Sequence, residues 1–300
     1  MEKTFFQITN KTLAPARDCE KNFVAVENFE NAESAMSDAD FDVTADDINR
    51  IVERRHCSSG KIGELSYLFI DAPSYYDKSL KMKKIFFVYS DSAIVILTND
   101  TESVTEILND MCENMRDADV VKVIIEFLSN FISTDYLYLQ KIEESISEFE
   151  NGVLREKHKK HCAELNDFRR KISHFKRYYE QLYNVITAAS NSSDDCYKED
   201  FQTLSDTADR LTEAVVNLRD FMEQVREAYQ QQLDISLNST MKFLTVITAF
   251  FLPLSFIATW YGMNVKMPEV EWDYSYYVII AVTVAITFFS ILFFVKRKWF

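Results

Sequence analysis

Two stretches near the C-terminal end, Phe243 to Tyr261 and Tyr276 to Val295, contain no charged side chain. Each has about the length a helix needs to cross a hydrocarbon core of roughly 30 Å at 1.5 Å per residue. Inside lipid a backbone must satisfy its own hydrogen bonds, which a helix does. The sequence therefore predicts a hairpin of two membrane-spanning helices. Lys296, Arg297, Lys298 and Trp299 follow the second stretch, while the segment between the two holds Lys266 against Glu269, Glu271 and Asp273. Basic flanks stay on the cytoplasmic side, so the expected protein is a multi-pass plasma-membrane protein with both termini in the cytoplasm and the acidic loop outside.

The residues before Phe243 are numerous enough to bury a core of their own. They carry the whole of the chain's negative balance, a net charge of -14 overall, which argues against nucleic acid as a partner. An acidic region beside a membrane suits cations, and it equally describes an ordinary solvated surface. Five cysteines lie scattered without a CxxC pair, and the odd number points to free thiols in a reducing compartment. Residues 1–17 carry no apolar segment of the secretory type. No phosphate loop, nucleophile elbow or paired metal motif is present, so an enzyme is not expected.

Glycine and proline divide the chain. Between Ser74 and Leu252 only Gly152 intervenes, leaving most of that length free to be helical. Ahead of it and at its start a mixed pattern predicts strands at Phe5–Thr9, Phe23–Glu27 and Leu65–Ile70, a helix over Ala45–Arg55 capped by Thr44, and a hairpin of Ile85–Tyr89 with Ala93–Thr98. Thr101 to Met115 reads as a helix covering that sheet. Beyond Asp117 the pattern turns helical: Val120 to about Leu154, then Cys162 to about Ala188 returning antiparallel, with a turn at 191–195. Leu204, Ala208, Leu211, Val215, Leu218, Met222, Val225 and Tyr229 then alternate at four and three residues, the spacing of a coiled-coil seam. No breaker separates Phe201 from Leu252, so stalk and first span are expected as one rod of about 75 Å or more. It either transmits movement or acts as a passive stalk.

Asn238, Met241, Thr245, Thr248, Leu252, Ser255 and Thr259 continue this spacing on one face, with Phe243, Val246, Phe250, Phe251 and Ile257 elsewhere. Such a polar stripe lines either a water-filled lumen or a helix contact. Pro253 removes one backbone hydrogen bond and permits a bend. A single helix encloses no pore, so a lumen implies a homo-oligomer.

Tyr261-Gly262-Met263-Asn264, then Met267-Pro268-Glu269 and Trp272, after a proline-containing span and before a basic end, resembles the CorA family of magnesium channels. The resemblance is specific from about Asn238 to Phe300 and architectural upstream. It implies a homopentameric funnel: an α/β cytoplasmic domain, a long-helix stalk and a two-helix transmembrane hairpin. The domain boundaries expected are 1–116 for the α/β domain, 117–200 for the helix pair and 201–242 for the stalk. The first span is then 243–261, the outer loop 262–275, the second span 276–295 and the tail 296–300. The resemblance places Asn264 and the Gly262 carbonyl at the outer mouth, with Tyr261 and Met263 packing the loop. Mg2+ dehydrates reluctantly, so acceptors that bind its water shell suit such a mouth. Asn238, Met241, Leu244, Thr248, Leu252, Ser255 and Thr259 then line the pore, Met241 and Leu244 as a hydrophobic gate. Leu252 and Ser255 stand where many members carry Met and Thr. Glu269, Glu271 and Asp273 form an outer acidic ring that concentrates cations, or are plain surface charge.

The family's regulatory magnesium lies between cytoplasmic domains and needs carboxylates from two subunits. Candidates are Asp194, Asp195, Asp200, Asp206 and Asp209, with Asp200 and Asp206 preferred. Asp38, Asp40 and Asp42 have the alternation of a calcium loop but lack its glycine and its bidentate glutamate. His158, His161 and Cys162 at helical spacing keep a ZntB-like zinc transporter open, although the neighbouring lysines also describe a solvated basic face. A membrane-anchored scaffold without ion flux is the other alternative.

Overall fold

A computed structural model describes residues 4–9, 12–16, 22–73, 82–155, 161–263 and 274–296. The chain falls into two compact units, Met1–Arg226 and Glu227–Phe300. Strands β1 (Thr4–Thr9), β2 (Thr12–Ala16), β3 (Phe23–Asn28), β4 (Ser58–Ile62), β5 (Leu65–Pro73), β6 (Met82–Tyr89) and β7 (Ala93–Thr98) form one sheet in the order β2-β1-β3-β7-β6-β5-β4. The parallel pair is β3 with β7; the other neighbours are antiparallel.

The sheet is covered on both faces, which is why β7 reads as an unbroken apolar run with all six residues buried. Phe69, Phe86, Val95 and Leu97 meet Met36 of α1 (Ala32–Asp38) and Ile48 and Ile51 of α2 (Ala45–Val52). The opposite alternation of β6 and β7 is equally buried. There α3 (Thr101–Asn114) lies against β2 and β3, and Phe87 meets Phe127 of α4 (Val120–Ser133) edge-on at 5.3 Å. Each fully buried Ile, Leu, Val or Phe contributes about 1.5–3 kcal/mol.

Local chemistry sets several element ends as expected. Thr44 Oγ1 accepts from the Asp47 N–H, and Asp47 Oδ2 accepts from the Thr44 N–H, a reciprocal box at the start of α2. That helix stops at Val52 rather than Arg55, because Arg55 takes a left-handed φ of 51° on the way to β4. Asp100 caps α3 through the Ser103 N–H and pairs with Lys83 at 2.7 Å. The 85–98 hairpin is present, with Ser90–Ser92 at its turn.

Several elements depart from expectation, among them α1, for which the sequence predicts no helix. Strands β2 and β4 occupy the two sheet edges, where Pro15 and Gly60 are tolerated. Tyr67 lies across the missing side chain of Gly60, so that a Cβ there would sit 2.9 Å from Tyr67 Cε1. Helix 120–154 is two helices, α4 and α5 (Asp135–Arg155), with Thr134 between them. The break follows a buried contact: Asp135 is fully enclosed and its Oδ2 accepts from the Tyr179 hydroxyl at 3.0 Å.

Tyr179 belongs to α6 (His161–Ser192), which also lies against β4 and β5. A 3₁₀ turn at Asp195–Tyr197 leads into α7, which runs without interruption from Lys198 to Tyr261. Every seam residue from Leu204 to Tyr229 is buried. Within the first unit the seam is covered by the chain itself: Thr187 of α6 and Ser205 of α7 share a hydroxyl hydrogen bond of 3.2 Å. Tyr136, Leu139, Gln140 and Glu143 of α5 border the same hollow as Ala214, Leu218 and Phe221 of α7. Cys57, Cys112 and Cys196 are free thiols, and burial pushes Cys57 up to about 12, away from thiolate chemistry.

Candidate functional site

The second unit contains the end of α7 and all of α8 (Ser275–Lys296). From Gln230 onward the α7 side chains lose cover: Leu233, Ile235, Leu237, Met241 and Phe243 are all exposed in the single chain. Among the described residues α7 is the one helix that meets the length and hydropathy required for a membrane crossing, with a mean hydropathy of 1.9 over its best window. Helix α8 is 22 residues long and carries an apolar run from Tyr276 to Ser290.

The two helices identify their mutual contact by what is half-covered. On α7 these are Val246, Ala249, Phe250, Pro253, Leu254 and Ile257; on α8 they are Ile279, Thr283, Ile286, Thr287 and Ser290. Each set falls at three- and four-residue steps, one face per helix. Toward the Tyr261 end of α7 the faces part around an apolar groove of about 470 Å³ lined by Phe256, Ile257, Trp260 and Tyr261 with Val278, Ile279, Val282 and Ile286.

The expected pore residues Asn238, Met241, Leu244, Thr248, Leu252, Ser255 and Thr259, and Thr245 of the same polar stripe, are all exposed. At about 100° per residue their mean direction lies roughly half a turn from the α7 face that meets α8. Packing within the hairpin therefore does not account for the stripe. Thr245 and Thr248 donate their hydroxyl hydrogens to the carbonyls of Met241 and Leu244, at 2.8 and 2.9 Å. Each oxygen then turns only acceptor lone pairs outward, which is the polarity that water bound to a cation requires. Pro253 sits inside the continuous helix, without ending it.

The helix stops at Tyr261 and the chain turns at Gly262, whose N–H donates to the Ala258 carbonyl at 3.0 Å; the Met263 N–H reaches the Trp260 carbonyl at 3.4 Å. A Cβ on Gly262 would stand 3.1 Å from the Ala258 oxygen, a backbone atom that cannot swing aside. Close approach rather than a left-handed φ explains the glycine. On the expectation that this turn forms the mouth of a channel, Gly262→Ala should displace it by a few tenths of an ångström and lower ion flux several-fold at normal membrane insertion, read by proteoliposome uptake; unchanged flux would remove Gly262 from that role. Asn264 and the acidic residues Glu269, Glu271 and Asp273 lie outside the described residues, as do His158 and the side chains of His161 and Cys162.

The regulatory candidates are not brought together within one chain. Asp200 and Asp206 are both exposed, six residues apart and hence on different faces of α7, and Asp206 accepts from Gln202 Nε2 at 2.8 Å. Asp195 pairs with Lys198. Among the described residues no group of three or more His, Cys, Asp or Glu side chains is placed to hold a metal ion. Thr283, Thr287 and Ser290 of α8 form a half-covered hydroxyl face at helical spacing, a pattern present in the sequence itself.

The family described as "CorA-like Mg2+ transporter protein" matches residues 26–297. The cobalt/magnesium transport protein CorA of Thermotoga maritima is 22% identical over 250 residues, covering 78% of this chain and 70% of that protein. The putative metal ion transporter YfjQ of Bacillus subtilis is 28% identical over 165 residues, 53% of this chain and 52% of that protein. Among solved structures, the CorA magnesium transporter of Methanocaldococcus jannaschii superposes with a TM-score of 0.86 at 12% identity, over 100% of this chain and 99% of that one. The cytoplasmic domain of ZntB from Vibrio parahaemolyticus gives 0.63 at 13% identity, over 77% of this chain and 97% of that one. At these identities the superpositions show the fold: an α/β domain followed by a long helix.

Proposed function

This chain belongs to the family of CorA-like Mg2+ transporter proteins, and we propose that it is a homopentameric channel that admits Mg2+ to the cytoplasm across the plasma membrane. The observation that carries the reading is the exposed stripe from Asn238 to Thr259, turned away from the α8 face of its own hairpin. In a ring of copies these faces line a common axis. Asn238 stands at the inner end, Met241 and Leu244 form an apolar constriction, and Thr248, Leu252, Ser255 and Thr259 continue the wall.

Asn264 and the Gly262 carbonyl meet the hydrated ion at the outer mouth, and Glu269, Glu271 and Asp273 concentrate cations around it. Both termini lie in the cytoplasm, the orientation that the basic end after α8 favours. Cytoplasmic Mg2+ held between subunits, with Asp200 and Asp206 as carboxylate donors, keeps the pore closed. Facing in different directions on one helix, they suit contacts to neighbouring copies better than a site within the chain.

A zinc-transporting reading is supported by the ZntB-like cytoplasmic fold, and Met263 favours magnesium over it. The test is uptake into proteoliposomes under an inward gradient, with Mg2+ and Zn2+ in separate runs. Flux of Mg2+ is expected. Flux of Zn2+ alone selects the other cation, and flux of neither, with insertion verified, makes the protein an anchored scaffold.

A further inference from the structure

In a chain with 47 acidic and 33 basic residues, one exposed surface of the first unit is strongly cationic. Arg170, His174 and Arg177 stand at positions i, i+4 and i+7 of α6 and so form one ridge. The Arg177 Nη2 group lies 3.3 Å from His174 Nδ1. A guanidinium only donates, so Nδ1 accepts and the imidazole presents its Nε2–H as a further donor. Burial first, and then the adjacent Arg177 and Arg170, hold the His174 pKa below its usual value.

A second element adds to the ridge. The Cys57 N–H donates to Gln181 Oε1 at 3.1 Å, one turn beyond Arg177, which brings the chain just after Arg55 beside the same stretch of α6. Arg55 and Arg177 both act on the carboxyl of Asp71. That carboxyl is buried, and burial raises its pKa although Lys84, Arg55 and Arg177 all lower it. Among the described residues no carboxylate lies within ion-pairing distance of Arg55, Arg170 or Arg177, whereas the neighbouring Lys176 is paired with Glu180.

We propose that the surface formed by Arg55, Arg170, His174 and Arg177 is a binding site for phosphate-bearing anions. Guanidinium forks match phosphate oxygens in pairs, and the imidazole Nε2–H supplies a directed donor between them. Such a ligand is either a soluble polyphosphate such as a nucleoside triphosphate or the headgroup of an anionic phospholipid. The assignment uses only the first unit and stands independently of the transported ion.

The experiment is titration of the full-length protein in neutral detergent with EDTA present, comparing wild type with the double variant Arg170→Ala/Arg177→Ala. The probes are ATP, tripolyphosphate, adenosine, and short-chain phosphatidylglycerol against phosphatidylcholine. We expect the phosphate probes to bind and the double variant to bind about tenfold more weakly or worse, at an unchanged melting temperature because both arginines are exposed. Independently of the variant, tripolyphosphate should displace ATP and adenosine should not. Binding of ATP and tripolyphosphate assigns a soluble source; binding of phosphatidylglycerol alone assigns the lipid. Equal binding by wild type and variant, binding of adenosine as well as ATP, or binding of no anion overturns the proposal. So does a variant that changes only the assembly of copies, which would make the ridge a contact with an acidic face of another subunit.

Discussion

Asn264→Ala is expected to reduce Mg2+ uptake at low external Mg2+ by at least about tenfold, while the protein inserts and assembles normally. A hydrogen bond to a charged group contributes about 1.5–3 kcal/mol, and 1.4 kcal/mol is a factor of about ten. In the proposed channel the carboxamide oxygen accepts from the ion's own water shell, and alanine leaves that shell without its partner at the mouth. Uptake should therefore show a lower apparent affinity for Mg2+, with less effect at saturating concentration. An Asn264→Ala protein that takes up Mg2+ as wild type does would end the assignment of the mouth, and with it the channel reading's most specific residue.

Val215→Asp is expected to destabilise the first unit by at least about 4 kcal/mol, a large part of a typical domain's 5–15 kcal/mol. Val215 is fully enclosed on the seam of α7, where a carboxylate is cut off from water. Leu244→Asp, on the exposed stripe, should leave that unfolding transition unchanged and alter conduction instead, because it puts charge in the proposed apolar constriction. Urea denaturation followed by far-ultraviolet circular dichroism separates the two. Equal midpoint shifts would mean that the stripe is packed as the seam is, and that no lumen runs along it.

These two substitutions also separate what was legible along the chain from what was not. The seam residues from Leu204 to Tyr229, the Thr44 cap and the hairpin around Ser90–Ser92 could be read directly, because each depends on side chains a few residues apart. Strands β2 and β4 could not, since Pro15 and Gly60 disfavour a strand everywhere except at an edge. Nor could the break at Thr134, where neither glycine nor proline marks it. The polar stripe was visible as a pattern with two meanings, lumen or contact. Its position half a turn from Val246, Phe250 and Ile257 distinguishes it from the contact within the hairpin.

By itself, then, the sequence determined the apolar ends, the breaker-free length of α7 and the Tyr261–Asn264 signature, because charge, hydropathy and helix propensity act within a few turns of chain. Only the tertiary structure decided which faces those helices turn to one another. It set the Asp135–Tyr179 contact that divides α4 from α5 and covered the seam with α5 and α6. It also brought the segment around Arg55 beside Arg177, through a hydrogen bond between residues 124 positions apart. Such juxtapositions arise when separate elements bury their apolar faces together, and no local spacing along the chain encodes them.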